Sequence, residues 1–266
     1  MPAKSRNKKN KRFHKQLSVF VLIVLMGLIF ISSPTLRSRT KQLLRHHNIH
    51  QLNFRQSKAD LSKYTVFGID VSQYQKTIVW RKVINQEEIA FAFVRATAGS
   101  DLRDDYFTHN WRTCQKYNII KGAYHYYRPN ENSLLQAENF IKNVELKAGD
   151  LPPVLDIEDY SDIQSLNSLK VGLLKWLQKV ENHYGVRPII YTYHKYYQSH
   201  FIDDNRFSKY NFWLARYGSK NNYNYPNSKW LFWQYSKKGN VLGIEGDVDL
   251  NVFNGDIQKL ESICIK

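Results

Sequence analysis

Cysteine is scarce in this chain, with only Cys114 and Cys264 among 266 residues. Two thiols cannot staple a disulfide-dense scaffold, nor can they supply a four-cysteine metal site. Several chemical signatures are also missing. No G-x-G-x-x-G or G-x-x-x-x-G-K follows an apolar run, so nothing marks a phosphate-cradling loop. No G-x-S-x-G presents a nucleophilic serine, and no H-x-H or H-E-x-x-H spacing offers a zinc grip. His125 can be drawn with Asp156 and Glu158 as a hard-cation cluster, but the spacing does not support it. No metal site and no cofactor are expected. Internal repeats are absent, as is low complexity beyond a basic head.

Acidic residues are the minority charge, 23 against 39 Lys and Arg, for a net charge of +16. That balance suggests a polyanion or an anionic surface until its location is known. Residues 1–64 hold fourteen of the basic residues and one acid, Asp60, a balance of +13 that leaves +3 for the other 202 residues. A basic head sits on a nearly neutral body, so nucleic acid is not an expected partner. With hydrophobic residues at 42% and aromatics at 14%, wholesale disorder is excluded.

Within the head, seven basic residues and no acid precede the apolar run Leu17–Ile31, LSVFVLIVLMGLIFI. The run is either a secretory signal or an uncleaved membrane anchor. Residues 17–33 would make a helix about 25 Å long, near the lower limit for spanning. Cleavage after Ser33 would use Ile31 and Ser33 as the small pair with Pro34 beyond, a poor site, so an anchor is the preferred reading. The charge bias places residues 1–16 in the cytoplasm and the body outside, although Arg37, Arg39, Lys41 and Arg45 follow the run. Residues 34–64 are expected to form a basic spacer near anionic headgroups. Residues 65–266 are the expected folded body.

In that body, short apolar runs alternate with amphipathic stretches. Strands are predicted at Val66–Val71, Phe91–Ala96, Gly122–Tyr127, Val154–Ile157, Pro188–Tyr193, Phe212–Arg216, Leu231–Tyr235 and Val248–Leu250. Helices are predicted at Leu134–Glu145, opened by a Ser133/Gln136 capping box, and at Ile163–Tyr184, stopped by Gly185. Weaker helices fall around Val79–Glu88 and Asp105–Tyr117. Strand–helix alternation implies a parallel sheet, and eight strands imply closure into a barrel. The connections Gly218–Lys229 and Ser236–Gly246 are too polar for packed helices, so the final third of the barrel is expected to lack them. An open doubly wound sheet is the alternative.

Chemistry in a parallel barrel sits at the C-terminal strand ends. Asp70 ends the first run, and Asp156 and Glu158 end the fourth. A spacing of two on a strand sends both side chains to one face. Asp249 lies in the eighth strand, which abuts the first when the barrel closes. Four carboxylates are thus expected at one mouth, where mutual repulsion raises their pKa values and lets one stay protonated beside an anion. Glycoside hydrolysis needs that division of labour. The competing reading is that strand-end acids cap helices or pair with Arg95, Arg128 or Arg216. Tyr74, Tyr124, Tyr126, Trp213, Tyr217, Trp233 and Tyr235 cluster near the same ends, where aromatic faces and hydroxyls suit sugar rings.

The segments FGIDVSQYQ (67–75), FAFVRATAG (91–99), GAYHYYRP (122–129), PPVLDIED (152–159), IIYTY (189–193), FWLARY (212–217), FWQYS (232–236) and DVDLNVF (247–253) together resemble glycoside hydrolase family 25, the N-acetylmuramidase-type lysozymes. The resemblance runs from about Val66 to Phe253. It implies a flattened TIM-like (β/α)5β3 barrel, here preceded by the N-terminal transmembrane segment. It also implies peptidoglycan glycan strands as substrate, cut at the β-1,4 bond between N-acetylmuramic acid and N-acetylglucosamine. Glu158 is implied as general acid and Asp156 as transition-state stabiliser, with Asp70 and Asp249 shaping the electrostatics and Gln234 joining the aromatic residues in substrate binding. A retaining route through the substrate's own N-acetyl group is the expected chemistry, with a direct carboxylate nucleophile or an inverting water, each needing a different separation between the acids, as the alternatives. Many relatives carry wall-binding repeats after the catalytic part, whereas thirteen residues follow Phe253 here. The anchor is expected to hold the enzyme at the outer face of a bacterial membrane instead. A catalytically silent, membrane-tethered glycan-binding protein is the alternative.

Overall fold

The computed structural model describes residues 61–86, 89–218 and 230–266. The expected cytoplasmic tail, the apolar segment 17–33 and residues 34–60 of the spacer lie outside the described residues. Among the described residues, no helix is long and apolar enough to cross a membrane. Leu61 and Tyr64, at the end of the expected spacer, are buried, and the Tyr64 ring meets Trp230 and Trp233 edge-on.

The strands are β1 (Phe67–Val71), β2 (Ile89–Ala98), β3 (Leu102–Arg103), β4 (Ile120–Tyr126), β5 (Val154–Asp156), β6 (Ile189–Tyr193), β7 (Asn211–Ala215), β8 (Trp230–Gly239) and β9 (Val248–Phe253). The helices are α1 (Trp80–Gln86), α2 (Phe107–Lys116), α3 (Ser133–Asn143), α4 (Leu166–Tyr184), α5 (His194–His200) and α6 (Ile257–Ser262). The sheet order is β1-β9-β8-β7-β6-β5-β4-β2, and the β1–β2 pairing closes eight strands into a barrel. The two-residue β3 hangs on β2 outside the ring. Five β/α units are followed by β7, β8 and β9.

The closure is not wholly parallel. β9 runs antiparallel to both β8 and β1. Its direction corrects the all-parallel expectation: β9 returns from β8 through the short stretch 240–247, too short for a crossover. β8 also runs on to Gly239, into what reads from the sequence as a polar connection. The other connection, Gly218–Lys229, lies almost entirely outside the described residues.

Strand alternation sorts the barrel interior into levels. Phe91, Phe93, Trp213 and Phe232 fill its lower part; Phe93 stacks on Trp213 with ring centroids 4.3 Å apart, and Phe91 meets Phe232 at 5.1 Å. Two residues beyond Phe93, Tyr124, Val154, Tyr191 and Phe232 on the same inward faces come Arg95, Tyr126, Asp156, Tyr193 and Gln234, at the level of the pocket. Gly68 and Gly122 make room for this aromatic plug, since a Cβ at either would sit 2.5 Å from the ring of Phe91 or Phe93. α6 closes the lower end with Leu260, in the same cluster as Phe253 and Cys264.

On the outside, α4 buries Leu169, Leu173, Trp176, Leu177 and Val180 along one stripe and ends at Gly185 in the left-handed region (φ 68°). It begins at Leu166, not Ile163, because Ser165 caps it through the Ser168 amide. The capping box predicted for α3 is also displaced. Asn132 caps that helix, accepting from the amides of Leu134 and Leu135. Ser133 instead bonds the Tyr127 hydroxyl at 2.6 Å, and buried Gln136 bonds the backbone of Arg128. α5, at seven residues, and α6, at six, are too short and polar to show a periodic apolar stripe in the sequence.

Candidate active site

A pocket of about 380 Å³ opens at the mouth where β1, β5 and β6 end and β9 begins. Asp70, Asp156, Glu158 and Asp249 all line it. Asp70 and Asp249 are directly cross-strand, so the antiparallel β9 delivers its acid from its own N-terminal end to the same level. Asp156 is held between Tyr126 of β4 and Tyr191 of β6 by strand register.

Asp70 is wired by buried amides. Its Oδ2 accepts from Gln234 Nε2 at 2.8 Å and from Asn251 Nδ2 at 2.7 Å. The orientation of each amide follows from its other partner. Trp213 Nε1 can only donate, and it does so to Asn251 Oδ1 at 2.8 Å. Tyr191 and Tyr217 donate to Gln234 Oε1 at 2.9 and 2.6 Å. Both NH₂ groups therefore face Asp70. Burial pushes its pKa up to about 6 while these two donors pull it down.

The remaining acids also titrate high. Burial, followed by repulsion from Asp70 and Glu158, pushes Asp249 up to about 8. Burial raises Asp156 well above the usual carboxylate range, and Glu158 and Asp70 add to it. Glu158 is raised by burial, against a hydrogen bond from Tyr193 that pulls it down. Asp156 and Glu158 line the same pocket and act on each other's titration. The buried Oδ1 of Asp156 has no hydrogen-bond partner among the described residues.

Of the sugar-contact candidates, Tyr74, Tyr124, Tyr126, Trp213, Tyr217 and Gln234 line the pocket. Tyr74 stands at the rim, 75% exposed, with the Arg95 guanidinium 4.9 Å from its ring centre. Trp233 does not join them. It alternates with inward Phe232 and Gln234, donates from Nε1 to the Arg216 carbonyl at 2.9 Å, and packs against Tyr64 and Tyr235. Tyr235 is likewise absent from the lining. His125 also faces away from the acids, stacked on Trp176 and held between Thr97 and Gln136. Burial lowers its pKa to about 4. Because Gln136 Oε1 also accepts from the Arg128 amide, His125 Nε2 carries the proton that reaches it.

The pocket contains further residues that the sequence reading did not select: Tyr191, Tyr193, Lys237 and Asp247, with Asn251 directly beneath. Tyr191 and Tyr193 share a face with Ile189 in IIYTY, a signal available from period-two alternation alone. Arg95 is in the lining but is bound to Asp104 at 2.9 Å, so it does not pair with the strand-end acids. Cys114 and Cys264 are buried free thiols, and burial pushes their pKa values up to about 12 and about 11.

Comparison with known proteins agrees with this geometry. The sequence model of glycosyl hydrolases family 25 matches residues 69–244. The chain is similar to the uncharacterized protein YegX of Escherichia coli K12, 37% identical over 205 residues covering 76% of this chain and 74% of that one. It is also similar to lysozyme M1 of Streptomyces globisporus, 35% identical over 210 residues, 75% of this chain and 71% of the relative. A family 25 glycosyl hydrolase structure from Bacillus anthracis superposes with a TM-score of 0.69 at 31% identity, covering 77% of this chain and 96% of that one. The chain belongs to glycosyl hydrolases family 25 and is a glycoside hydrolase.

Proposed function

We propose that this enzyme is a lysozyme that cuts the β-1,4 bond from N-acetylmuramic acid to N-acetylglucosamine in peptidoglycan, by substrate-assisted retaining chemistry. The observation that carries the reading is the pair Asp156 and Glu158. The two carboxyls stand two residues apart and line the same pocket, and a buried Asp156 oxygen has no hydrogen-bond partner among the described residues.

Glu158 serves as general acid. Burial raises its pKa and so favours the protonated form, and it gives that proton to the glycosidic oxygen as the C–O bond breaks. The carbonyl oxygen of the substrate's N-acetyl group attacks the anomeric carbon in the same step. Positive charge then develops on the acetamido group. Asp156 accepts the N–H through its open oxygen, and the developing cation favours its ionised form, so the interaction strengthens in the transition state. Glu158, now an anion, takes a proton from the water that opens the intermediate, which restores the acid and retains the anomeric configuration. Asp70, fixed by Gln234 and Asn251, and Asp249 set the local potential and orient the sugar. Tyr74, Tyr124, Tyr126, Trp213 and Tyr217 supply faces and hydroxyls for the rings. Incubating the protein with purified peptidoglycan and measuring new reducing ends tests the reading: a glycan-binding protein without activity releases none.

The charge pattern supports a second element of the proposal. Residues 17–33 anchor the enzyme in a bacterial membrane, residues 1–16 stay in the cytoplasm, and the catalytic part acts outside, tethered by residues 34–60. An enzyme held at the membrane in this way suits remodelling of the cell's own wall. Deleting residues 1–62 is expected to release the enzyme from the membrane. Unchanged wall digestion together with unchanged septal or peripheral placement would contradict that role.

A further inference from the structure

Outside the pocket, the segment leaving β5 holds an aromatic ring in an unusually fixed position. Tyr160 follows Glu158 by two residues and is 58% exposed. Its ring lies nearly parallel to that of Tyr196 in α5, with centroids 4.9 Å apart at an interplanar angle of 26°. His200 caps the pair. Its Nε2 meets the Tyr160 hydroxyl at 2.9 Å, and its ring stands edge-on to both tyrosines. Tyr196 is 5% exposed, so one face of Tyr160 is covered and the other is open.

The neighbours of Tyr160 are tied down as well. Asp159 accepts from the Tyr126 hydroxyl at 2.7 Å. Asn130 Oδ1 accepts from the Ser161 hydroxyl at 2.7 Å and from the Asp162 amide at 3.1 Å. Gln164 donates from Nε2 to the Pro129 carbonyl. These bonds fix a surface segment that no buried apolar core would otherwise hold. An open aromatic face whose position is already fixed loses little conformational entropy when a ligand covers it.

We propose that Tyr160, backed by Tyr196 and His200, is a stacking platform for a sugar ring of the glycan strand lying beyond the two rings whose bond is cut. Continuity with the pocket selects this occupant. Tyr126 lines the pocket and bonds Asp159, and two residues of chain place the Tyr160 and Glu158 Cα atoms no more than about 7 Å apart. A polymer threaded past Glu158 and Tyr126 would meet the platform, and strands too short to reach it should show no effect of Tyr160. The carbohydrate C–H face suits an aromatic ring of this kind, and no charge is required of the ligand.

The inference rests on the lysozyme reading, and its test separates the two. Glycan strands freed of stem peptides and graded by length are cleaved by wild type, Tyr160→Ala and Tyr160→Phe. Wild type is expected to show a KM that falls with strand length. Tyr160→Ala is expected to lose about 3- to 10-fold of that length preference, as aromatic stacking of this kind implies. Tyr160→Phe keeps the face, loses the His200 bond, and is expected to retain the preference. Identical length dependence in wild type and Tyr160→Ala on these strands overturns the platform. Wild type that releases no product from any strand overturns the hydrolase reading itself.

Discussion

Replacing Asp249 by Asn should stabilise the protein, and only at higher pH. Asp249 lies opposite Asp70 across the β1–β9 ladder, and burial with repulsion from Asp70 and Glu158 lifts its pKa to about 8. A carboxyl raised in the folded state binds its proton more readily there than in the unfolded chain. Its stabilising share is therefore complete below about pH 4, and it is lost as pH rises through about 8. Between those limits a single independent group would contribute on the order of 5 kcal/mol by linkage. Asp70 and Glu158 share the repulsion and the side chain retains some solvent, so about 1–3 kcal/mol is the reasonable expectation. Asn reproduces the neutral acid in shape but cannot ionise. Chemical or thermal unfolding across pH 4.5–9 should show near-equality at the acid end and a gain for the variant at the alkaline end. A gain of 1–3 kcal/mol is about 2–12 °C for a domain of this size. A pH-independent difference, or a variant less stable than wild type at pH 9, would refute the reasoning. The site would then not be storing repulsion at the expense of stability.

Two other substitutions probe how the mouth is supported. Arg95→Met leaves the Asp104 carboxylate with its amide donors, Gln73 and Tyr106, but no cation, inside a site where its side chain is fully buried. A loss of about 3–5 kcal/mol is expected in denaturant unfolding, and a loss below about 1 kcal/mol would show that the amides suffice. Asn251→Leu removes one donor from Asp70 and orphans Trp213 Nε1, for an expected loss of about 2–4 kcal/mol and an Asp70 titration moved upward from about 6. Carboxyl NMR that finds Asp70 titrating at the wild-type position would remove Asn251 from its role.

Much of this arrangement can be read from local patterns. The strand runs are two-sided apolar and bounded by polar segments, and the D-I-E spacing puts Asp156 and Glu158 on one face whatever the neighbours do. Asp249 reaches the right place by a route the sequence hides: nothing local distinguishes an antiparallel β9 from a parallel one, yet both adjoin β1. Trp233 shows the limit of reading proximity along a chain, because facing depends on register, and β8 is irregular against β7 and β9. The Asn132 cap differs from the expected Ser133 by one residue, which depends on backbone geometry more than on composition. The Asp70 network joins residues up to 181 positions apart, so the roles of Asn251 and Gln234 emerge only once the barrel closes.

In the proposed reaction Glu158 protonates the leaving oxygen of a muramyl bond. Purified peptidoglycan incubated with wild type and with Glu158→Gln, followed by mass analysis of the soluble fragments, tests it most directly. Wild type is expected to create new N-acetylmuramic acid reducing ends, and Glu158→Gln, which keeps the shape but cannot supply the proton, to release at least 100-fold fewer, as removal of a general acid implies. Equal release by the variant, or N-acetylglucosamine at the new reducing ends, would contradict the account.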